Sequence, residues 1–275
     1  MQTTTNYTPL DYISEKKNKR IPYVGVTGFM TTWDVEETID NYYKYRKDNP
    51  FELMMGFLLA RKVVENGMHP KPERRSRYPN MDKFAKLLET AEYDDVFRVI
   101  HYNTKGDDLH GEISYLLDDL GWKSIVDGVQ FNVKFPPSKE SINAIHADFP
   151  SKRLIMQINS GAINAYKLIE IVSIMSKYPA DYILIDPSGG TGTPINVMES
   201  AMTCWALKAK PSIKGMIGFA GGLDPDNVAK VVKEYKEHLG DQPFCIDAES
   251  GLMDLPGGLS MVKVSRYLRE FFSVF

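Results

Sequence analysis

Short apolar runs recur along the chain, and each has the length and composition of a β-strand. They are rich in Val, Ile, Leu and aromatic residues, and polar or turn-forming residues follow each one. The runs predict strands over Tyr23–Thr27, Leu53–Leu59, Val96–Tyr102, Gly128–Val133, Arg153–Ile158, Tyr182–Ile185, Gly215–Phe219 and Phe244–Asp247.

A longer segment with the apolar spacing of a helix follows each predicted strand. These helices are predicted over Thr32–Arg46, Met81–Glu92, Asp108–Leu120, Ser138–Asp148, Ala162–Lys177, Ile195–Lys208, Pro225–His238 and Gly257–Phe272. Strands that alternate with helices build a parallel sheet covered by helices. Eight such units in about 250 residues match a closed (β/α)8 TIM barrel. We therefore predict an α/β fold with one barrel domain over residues 21–275, preceded by a lead-in over residues 1–20.

The connection after the second predicted strand, Ala60–Asn80, is the longest segment without a clear period. It contains the basic residues Arg61, Lys62, Lys71, Arg74, Arg75 and Arg77. A long irregular loop in a compact domain is usually functional or disordered, and this one follows a strand on the catalytic face of the barrel. A solvated basic loop is the alternative interpretation.

Composition excludes several classes of partner. A hydrophobic content of 43%, a charged content of 25% and a net charge of −3 are those of a globular protein with no basic excess for nucleic acid. No apolar run reaches the ~18 residues of a membrane span, and Met1–Arg20 lacks the apolar core of a signal peptide. We expect a cytoplasmic protein without nucleic-acid or membrane partners.

The sequence contains no motif typical of a disulfide or of a metal site. Cys204 and Cys245 stand in no pairing or metal-binding motif, so no disulfide is predicted. No spacing of His, Cys, Asp or Glu resembles a metal site, and we expect no metal or cofactor.

Three glycine clusters follow the last three predicted strands. Glycine lets the backbone approach a ligand and adopt positive φ, so that successive N–H groups converge on one anion. Barrels commonly hold phosphate between the loops after strands seven and eight. The clusters therefore predict a site for a phosphorylated small molecule, with glycines needed only for tight turns as the alternative. The candidate phosphate-binding residues are Gly190, Gly221, Gly222, Ser250 and Gly251.

Polar side chains lie near the ends of predicted strands three, four and five. Alternate residues of a strand face the same side. The pairs that share a face are Gln130 with Asn132, Gln157 with Asn159, and His101 with Asn103. A structural barrel interior prefers branched apolar residues, so the number of polar ones favours a hydrophilic ligand over polar groups satisfied within the core. Gln130, Asn132 and Asn159 are candidate substrate ligands, and His101 is either a general base or a packed core residue.

Other side chains allow two interpretations. Asp247 and Glu249 follow strand eight beside a glycine cluster and are alternative acid–base groups, although a structural role suits Asp247 equally. Tyr42, Tyr43 and Tyr45 lie on the first predicted helix, outside the barrel. They either pack against neighbouring helices or form an oligomer surface, such as that of a homodimer.

The loops after strands six, seven and eight carry motifs by which the chain resembles phosphoribosylanthranilate isomerase, of the ribulose-phosphate-binding barrel group. The resemblance extends from about Tyr23 to Phe272. Weaker correspondences are Ser76-Arg77-Tyr78, Asn103 and Val129-Gln130-Phe131. The most specific ones are Leu184-Ile185-Asp186 with Gly189-Gly190-Thr191-Gly192, Ala220-Gly221-Gly222-Leu223 with Pro225, Asn227 and Val228, and Asp247 with Ser250-Gly251 and Pro256-Gly257.

The resemblance implies roles for three positions. In that family the reaction is an Amadori rearrangement of an aminated phosphoribose, in which an aspartate at the end of strand six is the general acid on the ring oxygen. That aspartate corresponds to Asp186. An arginine after strand two, which corresponds to Arg77, holds the carboxylate of the anthranilate. The general base is a cysteine at the end of strand one, and here Thr27 stands in its place.

The proton-transfer half of the site departs from the family pattern. A thiol has a pKa near 8.5, whereas an alkyl hydroxyl supplies no alkoxide at neutral pH without a neighbouring base. The family's strand-four histidine is Asn132 here, and its Lys-Asp pair after the final Pro-Gly is Leu259-Ser260. The phosphate half keeps its motifs.

Three functions remain open at this point. The first is a diverged isomerase or lyase-like enzyme that acts on a phosphorylated sugar or phosphoribosyl compound, with Asp186 as the acid. The second is authentic phosphoribosylanthranilate isomerase activity, which the replacement of the base disfavours. The third is a non-catalytic protein that binds a phosphorylated ligand. Retention of Asp186 favours an enzyme, because a binding protein has little use for a carboxylate beside a phosphate.

Overall fold

Eight parallel strands form a closed barrel, in the order of the sequence, in a computed structural model of the chain. The structure describes residues 20–105, 107–188, 194–254 and 257–275, without the side chain of residue 74. The predicted (β/α)8 fold is confirmed. The strands are β1 (Tyr23–Thr27), β2 (Glu52–Ala60), β3 (Val96–Asn103), β4 (Gly128–Asn132), β5 (Arg153–Asn159), β6 (Tyr182–Asp186), β7 (Met216–Ala220) and β8 (Cys245–Ala248).

Helices surround the barrel and connect consecutive strands. Their ends follow local chemistry: Thr31 begins the first one, because its side chain accepts a hydrogen bond from the Asp34 N–H and Asp34 accepts one from the Thr31 N–H. The helices are α1 (Thr32–Tyr45), α2 (Arg61–Asn66), α3 (Met81–Thr90), α4 (Leu109–Ser114), α5 (Lys139–Asp148), α6 (Ser160–Ala165), α7 (Leu168–Met175), α8 (Val197–Lys208), α9 (Val228–Leu239) and α10 (Met261–Phe272).

The sequence suggested that the segment Ala60–Asn80 is irregular. In the structure it contains α2 and a 3₁₀ turn. The Met81 N–H donates to the Gly67 carbonyl at 2.8 Å, which draws the two ends of the segment together. The Arg75 Nε–H donates to the His69 carbonyl at 2.9 Å. Single backbone and side-chain hydrogen bonds therefore order a stretch that has no amphipathic period.

Two predicted helices also differ from the structure. The helix expected over Ala162–Lys177 is divided into α6 and α7, because the Lys167 N–H donates to the Glu170 carboxylate and begins a new helix. The last helix begins at Met261 rather than Gly257, since Gly257 and Gly258 have φ of +137° and +116°. Positive φ is incompatible with a right-handed helix.

Two apolar layers hold the barrel together. The larger one lies between the strands and the helices, while a second cluster fills the barrel interior with Tyr23, Phe97, Tyr182 and their neighbours. The Tyr23 and Tyr182 rings meet edge to face, with centroids 5.3 Å apart. This packing fills the lower part of the barrel and leaves the carboxyl ends of the strands for polar groups.

Three further features bear on the expectations from the sequence: the tyrosines of α1, the two cysteines and the length of the helices. Tyr42 is fully buried and donates its hydroxyl to the Phe51 carbonyl, whereas Tyr43 is 41% exposed. Cys204 and Cys245 are buried free thiols. Among the described residues, no helix has both the length and the apolar character needed to cross a bilayer.

Candidate active site

A cavity opens at the carboxyl ends of the strands, on the face where barrel enzymes carry their catalytic groups. The backbone of Ala220–Leu223 forms one wall of it. The polar residues that line it are His101, Gln130, Gln157, Asp186, Ser188, Asp247, Glu249 and Ser250. The structure thus brings together most of the candidates that the sequence indicated.

Asp186 ends β6 at the edge of this cavity, and three donors hold its carboxylate. Gln157 Nε2 donates to Oδ2 at 2.7 Å. The Ser188 N–H and hydroxyl both donate to Oδ1, at 3.1 and 2.6 Å. With both oxygens engaged, the carboxylate has a fixed orientation while remaining part of the cavity wall.

Asp247 lies across the cavity at the end of β8 and accepts a hydrogen bond from Thr27 Oγ1 at 3.0 Å. Burial raises the pKa of Asp247 to about 8, and the nearby carboxylates of Glu249 and Asp186 act in the same direction. The hydrogen bond from Thr27 opposes this shift. Asp247 therefore carries a proton over most of the neutral range.

Thr27 occupies the position of the family's base but is not among the residues that line the cavity. Its side chain lies against Gly56 of β2, where an added Cβ would come within 2.1 Å of Thr27 Oγ1. Glycine on the neighbouring strand gives the threonine its space, and the hydroxyl turns to Asp247. Thr27 thus positions another acid–base group.

The loop after β7 is rigid and glycine-dependent. Gly221 and Gly222 have φ of +119° and +58°, a region that favours glycine. Asn227 Nδ2 donates to the Gly222 carbonyl at 2.7 Å, and the Asp224 N–H donates to Asn227 Oδ1 at 3.0 Å. This bonding holds the loop without using the N–H groups of Gly222 and Leu223.

The loop after β8 forms a short 3₁₀ turn over Ser250–Leu252. The backbone N–H groups of Gly222, Leu223, Ser250 and Gly251 donate to no other described residue. Such a set of free N–H groups on adjacent loops is what an anion site requires. Gly190, the candidate phosphate-binding residue that follows β6 in the sequence, lies outside the described residues.

Arg77 forms an ion pair with Glu249, its Nη2 donating to the Glu249 carboxylate. The Arg77 and Glu249 side chains are 30% and 19% exposed. The resemblance assigns Arg77 to a ligand carboxylate, yet here its guanidinium already has a carboxylate partner from the cavity wall.

His101 on β3 is buried and faces the cavity next to Gln130, its register partner on β4. Neither ring nitrogen has a hydrogen-bond partner among the described residues. Burial lowers the pKa of His101, although Glu249 and Asp186 oppose that effect, so the ring is neutral near pH 7. Gln130 Oε1 and Gln157 Oε1 are also buried without a described partner.

The two asparagines that the sequence proposed as substrate ligands are not among the residues that line this cavity. Asn159 Oδ1 accepts the Ala162 N–H at 3.0 Å and caps α6. Asn132 is half-buried beside Asn103 on the adjacent strand. Gln157, which alternates with Asn159 on β5, lines the cavity instead. Strand periodicity had placed both on one face, but the turn into α6 redirects the last residue.

Comparison with known proteins gives the site a family context. No family model matches the chain. Over 133 residues the chain is 28% identical to the N-(5'-phosphoribosyl)anthranilate isomerase of Geotalea uraniireducens, a stretch that is 46% of this chain and 58% of that enzyme. The chain thus spans little more than half the length of this curated relative. The resemblance that the loop motifs indicate is confirmed.

Solved structures extend the likeness of fold to nearly the whole chain. The phosphoribosyl anthranilate isomerase of Thermus thermophilus has a TM-score of 0.59 and 19% identity, with 92% of this chain and 97% of that chain covered. A phosphoribosyl anthranilate isomerase in complex with reduced 1-(o-carboxyphenylamino)-1-deoxyribulose 5-phosphate has a TM-score of 0.56 and 15% identity, with 91% and 98% covered. At these identities the similarity concerns the fold.

Proposed function

From this likeness to phosphoribosylanthranilate isomerases, we propose that the protein is an isomerase-type enzyme acting on a phosphorylated sugar or phosphoribosyl compound. The observation that carries the proposal is the pair of buried carboxyl groups, Asp186 and Asp247, that line one cavity beside two loops with free backbone N–H groups. A binding protein gains nothing from two carboxyl groups near a phosphate. A proton-transfer enzyme needs them.

The loops after β7 and β8 are the proposed phosphate site. Gly222, Leu223, Ser250 and Gly251 supply N–H groups that other described residues do not use. The solved isomerase complex mentioned above holds a 5-phosphate, which supports a phosphorylated ligand for this fold. Backbone donors suit a phosphate in an acidic cavity because they bring partial positive charge without a side chain.

An Amadori-type rearrangement requires two proton transfers to reach the enolamine. One group protonates the ring oxygen as the C1–O bond opens, and another removes the proton from C2; the enolamine then takes up a proton at C1 and loses its C2 hydroxyl proton to become the ketone. Asp247 is the proposed donor, because burial keeps it protonated to about pH 8. Asp186 is the proposed acceptor, because its two oxygens already face three donors.

This assignment exchanges the acid role that the resemblance gives to Asp186 for an acceptor role, and it requires no cysteine. Two carboxyl groups with contrasting environments are a recurrent arrangement for acid–base work. Thr27 contributes by holding Asp247 through the 3.0 Å hydrogen bond. An isomerase thus remains possible without the thiol of the family.

The proposal is tested by following the removal of the C2 proton and the uptake of solvent deuterium at C1. The protein is incubated in D2O with N-(5'-phosphoribosyl)anthranilate and with its aniline counterpart, which lacks the carboxyl group, and deuterium at C1 of the ketose product is measured by NMR. We expect incorporation with at least one substrate, and a fall of about 10²–10⁴-fold in rate for Asp186→Asn and for Asp247→Asn.

Asp181→Asn is the control, since Asp181 precedes β6 at the opposite end of the barrel and accepts a hydrogen bond from the Leu154 N–H. It should leave the exchange rate unchanged. A folded wild-type protein that binds these ligands but exchanges no proton would instead be the non-catalytic binding protein. Full activity in both cavity variants would remove Asp186 and Asp247 from the mechanism.

A further inference from the structure

We infer that the ligand of this cavity carries no carboxylate at the end opposite its phosphate and presents neutral or cationic hydrogen-bond donors there. The inference rests on the proposed function, from which it takes the phosphate site. Three features of the described residues lead to it: the pairing of Arg77, the charge of the cavity wall, and the buried acceptors that face the cavity.

The ion pair between Arg77 and Glu249 uses the guanidinium that would otherwise hold a ligand carboxylate. Glu249 belongs to the cavity wall and immediately precedes Ser250 of the phosphate loop. A ligand carboxylate would compete with Glu249 for the Arg77 charge, and displacement of Glu249 would leave a half-buried anion without its partner. The Glu249 carboxylate thus occupies the place of a ligand carboxylate. The Arg77–Glu249 pair has no net charge with which to attract an anionic group of the ligand.

The rest of the wall is acidic as well. Asp186, Asp247 and Glu249 all line the cavity, and none of the described side chains that line it is a lysine or an arginine. A second anionic group in a ligand would therefore meet the Asp186 carboxyl group, the paired Glu249 and the protonated Asp247, with no free cation in the described lining to offset its charge.

Buried acceptors face the same space. The orientation of Gln157 is set by its Nε2–H bond to Asp186, so its Oε1 points away from that carboxylate and has no described partner. Gln130 Oε1 is equally unpaired, and the neutral ring of His101 offers one acceptor nitrogen. Buried polar atoms without partners are rare in folded proteins. Hydroxyl or amino groups of a ligand would satisfy all three, whereas a carboxylate, which only accepts, would satisfy none of the oxygens.

A matched pair of ligands tests the inference on the intact chain. The first is reduced 1-(o-carboxyphenylamino)-1-deoxyribulose 5-phosphate, and the second is the same compound without the carboxyl group. Their dissociation constants are measured by calorimetry at low salt. We expect the compound without the carboxyl group to bind about tenfold or more tightly, which is the scale of one charge-assisted hydrogen bond.

Glu249→Gln frees Arg77 and should largely remove the preference, tightening the binding of the carboxylate ligand by about tenfold and leaving that of its counterpart nearly unchanged. Glu112→Gln is the matched control, because Glu112 accepts a hydrogen bond from Arg61 at 2.9 Å and is partly exposed, but does not line the cavity. It should leave both affinities unchanged. If Glu249→Gln does not fold, the comparison of the two ligands with the wild-type protein still tests the inference.

The outcomes separate this inference from the proposed function. If both ligands bind and the carboxylate compound binds equally or more tightly to the wild-type protein, the inference is overturned while the phosphate site stands. If neither binds, the phosphate site is wrong and the inference falls with it. A carboxylate preference in the wild-type protein would also restore authentic phosphoribosylanthranilate isomerase activity as the leading candidate.

Discussion

Asp247 has an environment that a free carboxyl group never meets. It is buried at the end of β8, accepts one hydrogen bond from Thr27, and faces the cavity that also contains the carboxyl groups of Asp186 and Glu249. Ionisation there adds a third negative charge to a poorly solvated space, which is the reason for its raised pKa. The same burial that favours its protonated form makes its ionised form costly for folding.

This cost predicts the pH dependence of stability. The pKa of Asp247 is near 4 in the unfolded chain and about 8 in the folded protein, so its favourable contribution is complete below pH 4 and is lost as the pH rises to about 8. In urea titrations, Asp247→Asn should remove that part of the decline in the free energy of unfolding, relative to the wild-type protein. Asp181→Asn should retain it. Parallel wild-type and Asp247→Asn curves across this window would show that Asp247 ionises freely.

At the scale of elements, the loops after β7 and β8 act as one unit. Gly251 lies against the loop after β7 so closely that an added Cβ would come within 2.1 Å of the Leu223 carbonyl oxygen and 2.9 Å of Asp224 Cβ. The first of these atoms belongs to the backbone and cannot rotate away. Contact between the two loops therefore sets the spacing of the N–H groups on which the phosphate site depends.

Gly251→Ala should separate these loops. Because the proposed phosphate donors belong to both of them, we expect the affinity for the carboxyl-free 5-phosphate ligand to fall by about tenfold or more, measured by calorimetry. Gly161→Ala on α6 is the control, as its added Cβ would approach a single atom, Asn159 Oδ1, at 3.2 Å. Unchanged affinity in a folded Gly251→Ala protein would place the phosphate elsewhere.

At the scale of the whole molecule, a buried ion pair connects strands that are not neighbours. Arg153 on β5 contacts Glu52 on β2 at 2.5 Å, and the guanidinium lies 3.5 Å from the centroid of the Phe97 ring. Both charged side chains are nearly inaccessible. Because the bond crosses the interior, it links opposite sides of the barrel beneath the proposed site.

Glu52→Gln should leave the Arg153 charge buried without its partner, and such a loss costs about 3–5 kcal/mol. We expect this decrease in the free energy of unfolding from urea denaturation. Glu65→Gln removes the exposed partner of Arg61 and should cause no measurable change. Ligand affinity of the folded Glu52→Gln protein should stay the same, because the pair lies outside the cavity lining. A stability loss no larger than that of the control would mean that water reaches Arg153.

The sequence by itself determined the order of elements, the barrel and the positions of the glycine-rich loops after β7 and β8. Apolar runs such as Tyr23–Thr27 indicate buried strands, and clusters such as Gly221-Gly222 indicate backbone positions with positive φ. Both are local properties of the chain. The position of Asp186 at the end of β6 followed from the same pattern. The segment Ala60–Asn80 and the break between α6 and α7 escaped prediction because single backbone and side-chain hydrogen bonds, which leave no period, decide them.

Only the tertiary structure decided which polar groups meet. Thr27 and Asp247 are 220 residues apart, and Arg77 and Glu249 are 172 apart, so nothing in their neighbourhoods indicates a partner. Closure of the barrel brings β1 beside β8, with Gly25 opposite Asp247, and thereby converts the position of the family's base into a support for a carboxyl group. The charge states of these side chains depend on such contacts, because the pKa of a buried group is set by burial and by neighbours that the fold brings from distant parts of the chain.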